Sequence, residues 1–397
     1  MTIKWKAKQQ TPFIQLQMNK HSTTRSQGIK GESAFDTSPF SYRWYLNTAK
    51  FPKNRGKVFS CFACGGGSTM GYKLSGFDVI GFNEIDPRMA RIYVKNHNPE
   101  YQFVEAIQDF VKWKEFPDEL YNLDILDGSP PCSSFSMAGN REKDWGKKKV
   151  FREGQAEQVL DTLFFDFIAL ARELQPKIVI AENVNGILYG SAVEYVKKIL
   201  YDFDSAGYQV KHFKLKAVQM GVPQKRERVF FIAIRKDLSD LLPGESGKLF
   251  KEFPQLDLNF NQPIIKFDQI RNDSLNNASW TPHDQNIWDC RRSGDRDYSD
   301  VLKRIENRNS NFNAAFIYDH LPIPTITSTE GGKLTLFSKP RRMNTEEMIL
   351  AQSFPLDYDF LSDKPSEIQY VLGMSVPPVM VANIADRIYK DWRIIFD

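Results

Sequence analysis

The sequence predicts an α/β fold in which a doubly wound sheet is combined with a smaller, irregular domain inserted before the C-terminal helices. Two observations predict the sheet: short apolar runs typical of buried strands alternate with helical segments, and the first run leads directly into a glycine-rich loop. A third observation predicts the insertion, because the alternation is lost over residues 238–340. We therefore expect a main domain over residues 56–237 and a C-terminal segment, 341–397, that returns to it.

The first elements of the main domain predict a site for a nucleoside-bearing cofactor. An apolar run at residues 58–62 is followed by a glycine loop at residues 63–67. A second run, at residues 78–82, ends at Asn83 and Glu84. Glycine lets a loop pass close to a ligand, and an acid about twenty residues later accepts both hydroxyls of a ribose. The order of strand, loop, helix, strand and acid is typical of the Rossmann-like arrangement.

Polar side chains also follow two later strands. Cys132 comes after the apolar run 123–126 and two prolines, which fix the backbone of the loop before it. Glu182 directly follows the run 177–181. Ligands of open α/β sheets bind beyond the carboxyl ends of the strands, so Glu84, Cys132 and Glu182 are expected to face one site. A thiol there is a candidate nucleophile; the alternative is a buried cysteine that fills a tight turn.

The composition is that of a soluble protein of a reducing compartment. The 397 residues are 41% hydrophobic and 26% charged, and no apolar run approaches the roughly 20 residues needed to cross a bilayer. Four cysteines in so long a chain do not form a disulfide framework. Cys61 and Cys64 form a C-x-x-C pair, but no second pair or suitably spaced histidines complete a metal site. We therefore expect a cytoplasmic protein with no bound metal and no membrane anchor.

Basic residues are concentrated in an N-terminal extension, residues 1–55, and after Cys132. Residues 1–57 carry a net charge of +9, which leaves −5 for the rest of the chain. A polar stretch over residues 136–152 contains six more cations and is typical of a substrate clamp or lid. A basic extension suits non-specific contact with nucleic acid, and a solvated extension is the equal alternative.

Taken together, these pieces resemble the cytosine-5 DNA methyltransferases, which use S-adenosylmethionine. The resemblance runs in order from about residue 57 to residue 376 and leaves out the N-terminal extension and the insertion. The matching stretches are residues 62–67, 83–84, 131–132, 163–166, 182–184, 224–228, 341–355 and 373–376.

The resemblance implies a covalent mechanism on a cytosine base. Cys132 would add as a thiolate to carbon 6, which makes carbon 5 able to attack the methyl group of the cofactor. Glu182 would donate a proton or hydrogen bond at ring nitrogen 3. Arg228 would hold oxygen 2 of the base, and Arg226 would lie near the thiolate or the target phosphate. The products would be 5-methylcytosine and S-adenosylhomocysteine.

The resemblance also implies a cofactor pocket and three departures from the usual pattern. Cys64 stands where the family usually has glycine, Ala106 where an aspartate usually meets the adenine amine, and Met374 where asparagine is usual. Glu105 or Asp109 would have to replace that aspartate. The residues implied to bind the cofactor are Phe62, Ala63, Cys64, Gly65, Gly66, Gly67, Asn83, Glu84, Ile85, Ile107, Ser129, Pro131, Leu163, Ser375 and Val376.

The implied substrate is a specific site in double-stranded DNA. A cytosine inside a duplex is unreachable, so it must be flipped out, at a cost of a few kcal/mol. The inserted domain would be a target-recognition domain that reads flanking bases, each for about 1 to 3 kcal/mol of discrimination. The family further implies the modification enzyme of a restriction-modification system, a monomer on DNA, whose cognate restriction endonuclease acts separately.

Three alternatives remain at the level of sequence. A methyltransferase of the same fold acting on transfer RNA is the nearest, and the long insertion favours duplex DNA over it. A zinc-dependent cytosine deaminase needs a His-x-Glu, and none of the five histidines has Glu two residues later. A catalytically silent DNA-binding regulator is the third, and the presence of Cys132, Glu182, Arg226 and Arg228 argues against it.

Overall fold

A computed structural model describes most of the chain. Cys132 and nearly all of the basic stretch after it lie outside the described residues, as do residues 1–38 of the N-terminal extension. The described residues are 39–131, 162–190, 192–243, 253–275, 279–308, 314–328 and 333–397, together with the backbone of 148–149 and 158–159.

The strands of the main domain form one mostly parallel sheet. They are β1 (Lys57–Cys61), β2 (Asp78–Asn83), β3 (Tyr101–Phe103), β4 (Ile125–Gly128), β7 (Ile178–Val184), β8 (Tyr208–Lys216) and β9 (Glu227–Arg235), and a separate two-stranded pair consists of β5 (Lys148–Lys149) and β6 (Gln158–Val159). The strand order is β3-β2-β1-β4-β7-β9-β8. Neighbours from β3 to β7 run parallel, whereas β9 is antiparallel to both β7 and β8.

Helices cover both faces of this sheet, which confirms the predicted doubly wound α/β fold. They are α1 (Gly67–Leu74), α2 (Pro87–His97), α3 (Ile107–Phe110), α4 (Leu163–Leu174), α5 (Ala192–Ser205) and α6 (Lys236–Ser239). On one face, α3, α4 and α5 pack on alternate strand residues such as Phe59, Leu126 and Val179. On the other face, Val58 and Ile125 pack against α1 and the C-terminal helix. Burial on both faces explains why the central strands are continuous apolar runs.

The described part of the segment predicted as an insertion contains few regular elements. They are α7 (Pro282–Asp289), α8 (Tyr298–Glu306) and the parallel pair β10 (Ala315–Ile317) and β11 (Leu334–Leu336). This segment has a small apolar core, which contains Ile287, Val301 and Phe316. A second apolar cluster joins Phe267 and Ile323 to the helices that follow the segment.

The C-terminal segment packs back onto the main domain. Its helices are α9 (Thr345–Ala351), α10 (Pro365–Met374) and α11 (Pro378–Asp391). α11 lies against α1 at Gly71, where a side chain would overlap Val381 and the Pro378 carbonyl. The stretch Pro365–Asp391 is long and apolar enough to cross a membrane by length and composition, but 78% of its most apolar part is buried inside the protein. It is also divided between α10 and α11, so these residues form part of the core.

Residues 39–55 lie along the C-terminal segment. The Trp44 indole donates to the carbonyl of Ser353 (2.9 Å), and the amides of Leu46 and Asn47 donate to the Asp357 carboxylate (2.6 and 3.0 Å). Arg55 forms an ion pair with Asp386 at 2.6 Å. This last part of the extension is therefore attached to the folded chain.

Candidate active site

The register of the sheet brings the predicted site residues to one edge. Cys61, the last residue of β1, pairs with Asn83 at the end of β2 and with Gly128 at the end of β4. Gly128 pairs in turn with Ala181, the residue before Glu182 in β7. The segments that follow β1, β2 and β4 therefore leave the sheet side by side, next to Glu182.

The loop that leads to the predicted nucleophile is held from the end of β7. Cys132 itself lies outside the described residues, but Ser129 and Pro131 are described and half-buried. The Asn183 side-chain amide donates to the carbonyl of Pro130 at 3.1 Å, and Asn183 is buried. No sequence signal gives Asn183 this role, because the contact joins two segments whose proximity depends on the sheet.

The glycine loop contains two non-glycine residues in the left-handed region. Phe62 has φ +52° and Cys64 has φ +48°. A side chain in this conformation costs roughly 1 to 2 kcal/mol, so Cys64 is tolerated where glycine would be unstrained. Its sulfur lies 3.8 Å from that of Met89 and 3.9 Å from the Ser375 hydroxyl. Burial raises the pKa of the Cys64 thiol to about 12, so this cysteine is protonated at neutral pH.

The glycines allow the loop to pack against its own protein neighbours. A side chain at Gly65 would overlap Val371 of α10, and one at Gly67 would overlap the carbonyl of Val376. Gly66, at φ +79°, lies against the His97 ring. Ser375 and Val376 are buried against this loop, so the structure brings together these motifs from opposite ends of the sequence.

Glu84 is a buried acid held by backbone amides. The amide of Cys64 donates to one carboxylate oxygen (2.7 Å) and the amide of Asp86 to the other (2.8 Å). Burial raises the pKa of Glu84 to about 7. Each oxygen keeps acceptor capacity, because a carboxylate oxygen offers two lone-pair sites. The neighbouring Asn83 is occupied structurally, since its side-chain amide donates to the Glu105 carbonyl at 2.9 Å.

The remaining predicted cofactor residues differ in accessibility. Ile85, which follows Glu84, is half-buried. Ala63, Ile107 and Leu163 are almost fully buried. Ile107 and Leu163 belong to the apolar core on one face of the sheet. Ala106 precedes α3 and provides no side-chain cap.

The two acids expected to compensate for Ala106 have other partners. The Trp113 indole donates to the Glu105 carboxylate at 3.2 Å. Asp109 forms an exposed ion pair with Lys112 at 3.1 Å. Met374, the third departure, is 43% exposed at the end of α10.

Glu182 and Arg228 form an ion pair at the end of β7. The Nε of Arg228 lies 2.8 Å from the Glu182 carboxylate. The Arg228 side chain is 14% exposed and the Glu182 side chain is 12% exposed. Antiparallel pairing of β7 with β9 places them together, because Val184 lies opposite Arg228. Burial lowers the pKa of Arg228 and the charge of Glu182 opposes that shift. The edge of the sheet therefore carries a fixed acid with a cation beside it.

Arg226 is almost completely buried where three segments meet. Its guanidinium donates to the carbonyls of Ile326 and Gly373 at 3.2 to 3.3 Å. Burial and the nearby Arg228 lower its pKa. Its Nε has no hydrogen-bond partner within the part of the chain that the structure describes. The structure thus places Arg226 between β9, the segment predicted as an insertion and α10.

The donors and acceptors at this edge fit S-adenosylmethionine. The buried Glu84 offers acceptors for ribose hydroxyls, and the loop at residues 62–67 leads into the N-terminus of α1, which favours a carboxylate. Half-buried Ile85 and Pro131 offer apolar surface for the adenosyl and methionyl groups. A cluster of three or more metal-ligating side chains is absent from the described ranges.

Comparisons with known proteins agree with this chemistry. The family described as C-5 cytosine-specific DNA methylase matches residues 56–390. The Type II methyltransferase M.NgoPII of Neisseria gonorrhoeae is 27% identical over 368 residues, 87% of this chain and 98% of that protein. M1.HphI of Haemophilus parahaemolyticus, another Type II methyltransferase, is 28% identical over 83% of this chain and 85% of its own length.

Solved structures share the fold. A putative DNA modification methyltransferase encoded within an Escherichia coli prophage superposes with a TM-score of 0.56 at 20% identity, over 84% of this chain and 98% of that one. The Dnmt2 methyltransferase of Schizosaccharomyces pombe gives 0.53 at 15% identity, over 85% and 98%. The family match extends over most of the chain, from β1 to α11. The chain therefore belongs to the C-5 cytosine-specific DNA methylase family, whose members transfer a methyl group from S-adenosylmethionine to carbon 5 of cytosine in DNA.

Proposed function

We propose that the protein is the modification enzyme of a Type II restriction-modification system and methylates a flipped-out cytosine through a covalent bond to Cys132. The observation that carries this proposal is the Glu182–Arg228 pair, 2.8 Å apart, at the strand end beside the loop that leads to Cys132. The Type II methyltransferases among the relatives support the biological setting. We further propose that it acts in the cytoplasm as a monomer, with the cognate endonuclease as a separate protein.

Each side chain has a defined task in this mechanism. The Cys132 thiolate forms a bond to carbon 6 of the cytosine, and electron density moves toward ring nitrogen 3. Glu182 donates a proton or hydrogen bond there, and Arg228 both fixes that carboxyl group and faces oxygen 2 of the base. S-adenosylmethionine supplies the methyl group that carbon 5 accepts. A base then removes the carbon-5 proton, and the thiolate leaves as the ring double bond forms again.

The cofactor is proposed to lie along the loop at residues 62–67, with its ribose on Glu84. Asn83 supports that position through its bond to Glu105, and Ile85 and Ile107 lie on the adenine side. Ser375 and Val376 close the loop from behind. The other residues proposed for the pocket are Phe62, Ala63, Cys64, Gly65, Gly66, Gly67, Ser129, Pro131 and Leu163.

Double-stranded DNA is the proposed substrate, and residues 238–340 the proposed reader of its sequence. Several arginines of that segment are already engaged within the protein. Arg291 stacks 3.2 Å from the Trp288 ring centre, and Arg304 pairs with Asp295 at 2.9 Å. Arg292 is exposed, and its guanidinium is a better candidate for a phosphate or base contact.

A methyl-transfer assay tests this function. The protein is incubated with labelled S-adenosylmethionine and a library of unmethylated duplexes, and methylated cytosines are located by sequencing. We expect one short recognition sequence, methylated at carbon 5, and no transfer by Cys132→Ser, which should still bind DNA. Methylation by the Cys132→Ser variant would contradict the covalent mechanism. Transfer to RNA but not to duplex DNA would overturn the proposed substrate.

A further inference from the structure

A buried carboxylate next to the proposed cofactor site has no role in the mechanism described above. Asp127 is the penultimate residue of β4 and is 4% exposed. Three hydroxyl groups donate to it: Ser60 (2.8 Å) and Ser68 (2.7 Å) to one oxygen, and Tyr72 (3.1 Å) to the other. Ser68 directly follows Gly67, so this network lies under the start of α1.

The environment of Asp127 contains hydroxyl groups but no described cation. The titratable groups that interact with it are Cys61 of β1, Tyr72 of α1, Tyr93 of α2 and Glu182 of β7. The first three are neutral at physiological pH, and Glu182 is a like charge. Burial accordingly raises the pKa of Asp127 to about 6.

Burial of ionised Asp127, which forms no ion pair within the described ranges, is costly to the folded protein. Its folded pKa of about 6 exceeds the ordinary value of 3.8, so the unfolded chain ionises first as the pH rises. Asp127 therefore lowers stability progressively between about pH 4 and pH 6, and that penalty persists at higher pH. A positive charge brought to the sheet edge by a ligand would offset the penalty.

S-adenosylmethionine brings such a charge and its by-product does not. The cofactor has a sulfonium centre, whereas S-adenosylhomocysteine has a neutral thioether in the same place. We propose that Asp127 is a specificity-determining residue that makes the protein prefer the sulfonium cofactor over S-adenosylhomocysteine and so favours release of the by-product. This inference rests on the proposed cofactor site beside residues 62–67.

The variant Asp127→Asn removes the charge and can retain the hydrogen bonds. The amide oxygen can accept from both serines, and the amide nitrogen can donate to the Tyr72 oxygen. We expect calorimetric titration at pH 7.5 to show about tenfold weaker binding of S-adenosylmethionine, which corresponds to about 1.4 kcal/mol. Binding of S-adenosylhomocysteine should change less than about twofold on the same electrostatic grounds.

A matched control separates the charge from general loosening of α1. Thr69 follows Ser68 in α1 and is also buried, but its hydroxyl forms a hydrogen bond with the Tyr93 hydroxyl at 2.8 Å and none with Asp127. Thr69→Val should leave the ratio of the two affinities unchanged. Asp127→Asn should unfold at the same temperature as the parent or a higher one.

The unmodified protein provides an independent test. Its preference for the sulfonium form should decline as the pH falls through about 6. Binding of S-adenosylmethionine near that pH should release protons, because a cation favours ionised Asp127. Ser60→Ala removes one donor and should move this transition to higher pH. Glu84 also faces the cofactor, so the component assigned to Asp127 is the part that Asp127→Asn abolishes.

Three results would overturn the inference. Equal weakening of both ligands by Asp127→Asn would mean that the residue acts only on packing. An unchanged affinity ratio, with proton release that persists in the variant, would mean that its charge does not reach the ligand. Failure of the unmodified protein to bind either ligand would overturn the cofactor site itself and this inference with it.

Discussion

At the scale of single residues, Glu84 is part of the proposed cofactor site and lowers the stability of the folded protein near neutral pH. Two backbone amides fix its carboxylate, yet burial raises its pKa to about 7. Because its ordinary value is 4.5, the unfolded chain releases this proton at lower pH than the folded one. Glu84 thus reduces stability as the pH rises from about 4.5 to about 7, although its ionised form is the better acceptor for ribose hydroxyls.

The variant Glu84→Gln tests that opposition. The amide loses one of the two backbone hydrogen bonds at every pH, so the variant starts from a constant penalty. Between pH 5 and pH 8 its unfolding free energy, relative to the parent, should rise by on the order of 3 kcal/mol, since a pKa unit corresponds to about 1.4 kcal/mol. Urea unfolding at four pH values measures this difference. A difference that does not vary with pH would show that Glu84 is ionised throughout.

Residue types along the chain predicted part of the candidate site. Glu84 and Glu182 were identifiable because each directly follows an apolar run, and strand ends define the ligand edge of such a sheet. Asn183 and Asp127 were not, because their partners Pro130, Ser60 and Ser68 become neighbours only through strand register and helix packing. The glycine loop was identifiable, but not its close fit to α2 and α10.

At the scale of secondary-structure elements, burial determined which strands were visible in the sequence. The strands β1, β2, β4, β7 and β9 are covered on both faces and appear as apolar runs. The edge strand β8 was not predicted, because its exposed lysines at 211, 214 and 216 interrupt the apolar pattern. Lysines on an edge strand also discourage pairing with another chain.

The start of α9 depends on a buried ionic cap. Asn344 and Glu347 form a capping box, and Glu347, fully buried, also pairs with Arg341 at 2.7 Å. Among the described residues, loss of Glu347 leaves Arg341 with only the more exposed Asp273, at 2.9 Å, so we place the cost near the lower end of the about 3 to 5 kcal/mol typical of a broken buried pair. We expect Glu347→Ala to lose about that much unfolding free energy in urea.

The exposed pair Glu194–Lys197 supplies the control for this prediction. Both side chains are more than 60% exposed, and pairs of this kind contribute about 0 to 1 kcal/mol. Glu194→Ala should therefore change stability by less than about 1 kcal/mol. Equal effects of the two substitutions would contradict the role given to the Arg341–Glu347 pair.

At the scale of the whole molecule, charge is distributed unevenly along the chain. The N-terminal extension is basic, and its last part, residues 39–55, is attached to the C-terminal segment through Trp44 and Arg55. A truncation that preserves the fold should therefore remove residues 1–38 and keep residues 39–55. The predicted boundary at residue 55 would remove these contacts.

Removal of residues 1–38 should flatten the salt dependence of DNA binding. Each lost phosphate contact lowers the slope of log affinity against log salt by about 0.9. Fluorescence anisotropy at salt concentrations between about 50 and 300 mM gives this slope for the full-length and the truncated protein. Thermal unfolding of the truncated protein should be unchanged. Identical slopes for both proteins would show that the extension makes no phosphate contact.

The account depends most on a covalent bond between Cys132 and carbon 6 of the target cytosine. A duplex with 5-fluorocytosine at the recognised position tests it directly, because fluorine prevents the final loss of the carbon-5 proton. With S-adenosylmethionine present, we predict a denaturant-resistant adduct whose digestion and mass spectrometry place the nucleotide on Cys132. A bond to any other residue, or methylation of normal cytosine without trapping on the fluorinated duplex, would contradict the mechanism.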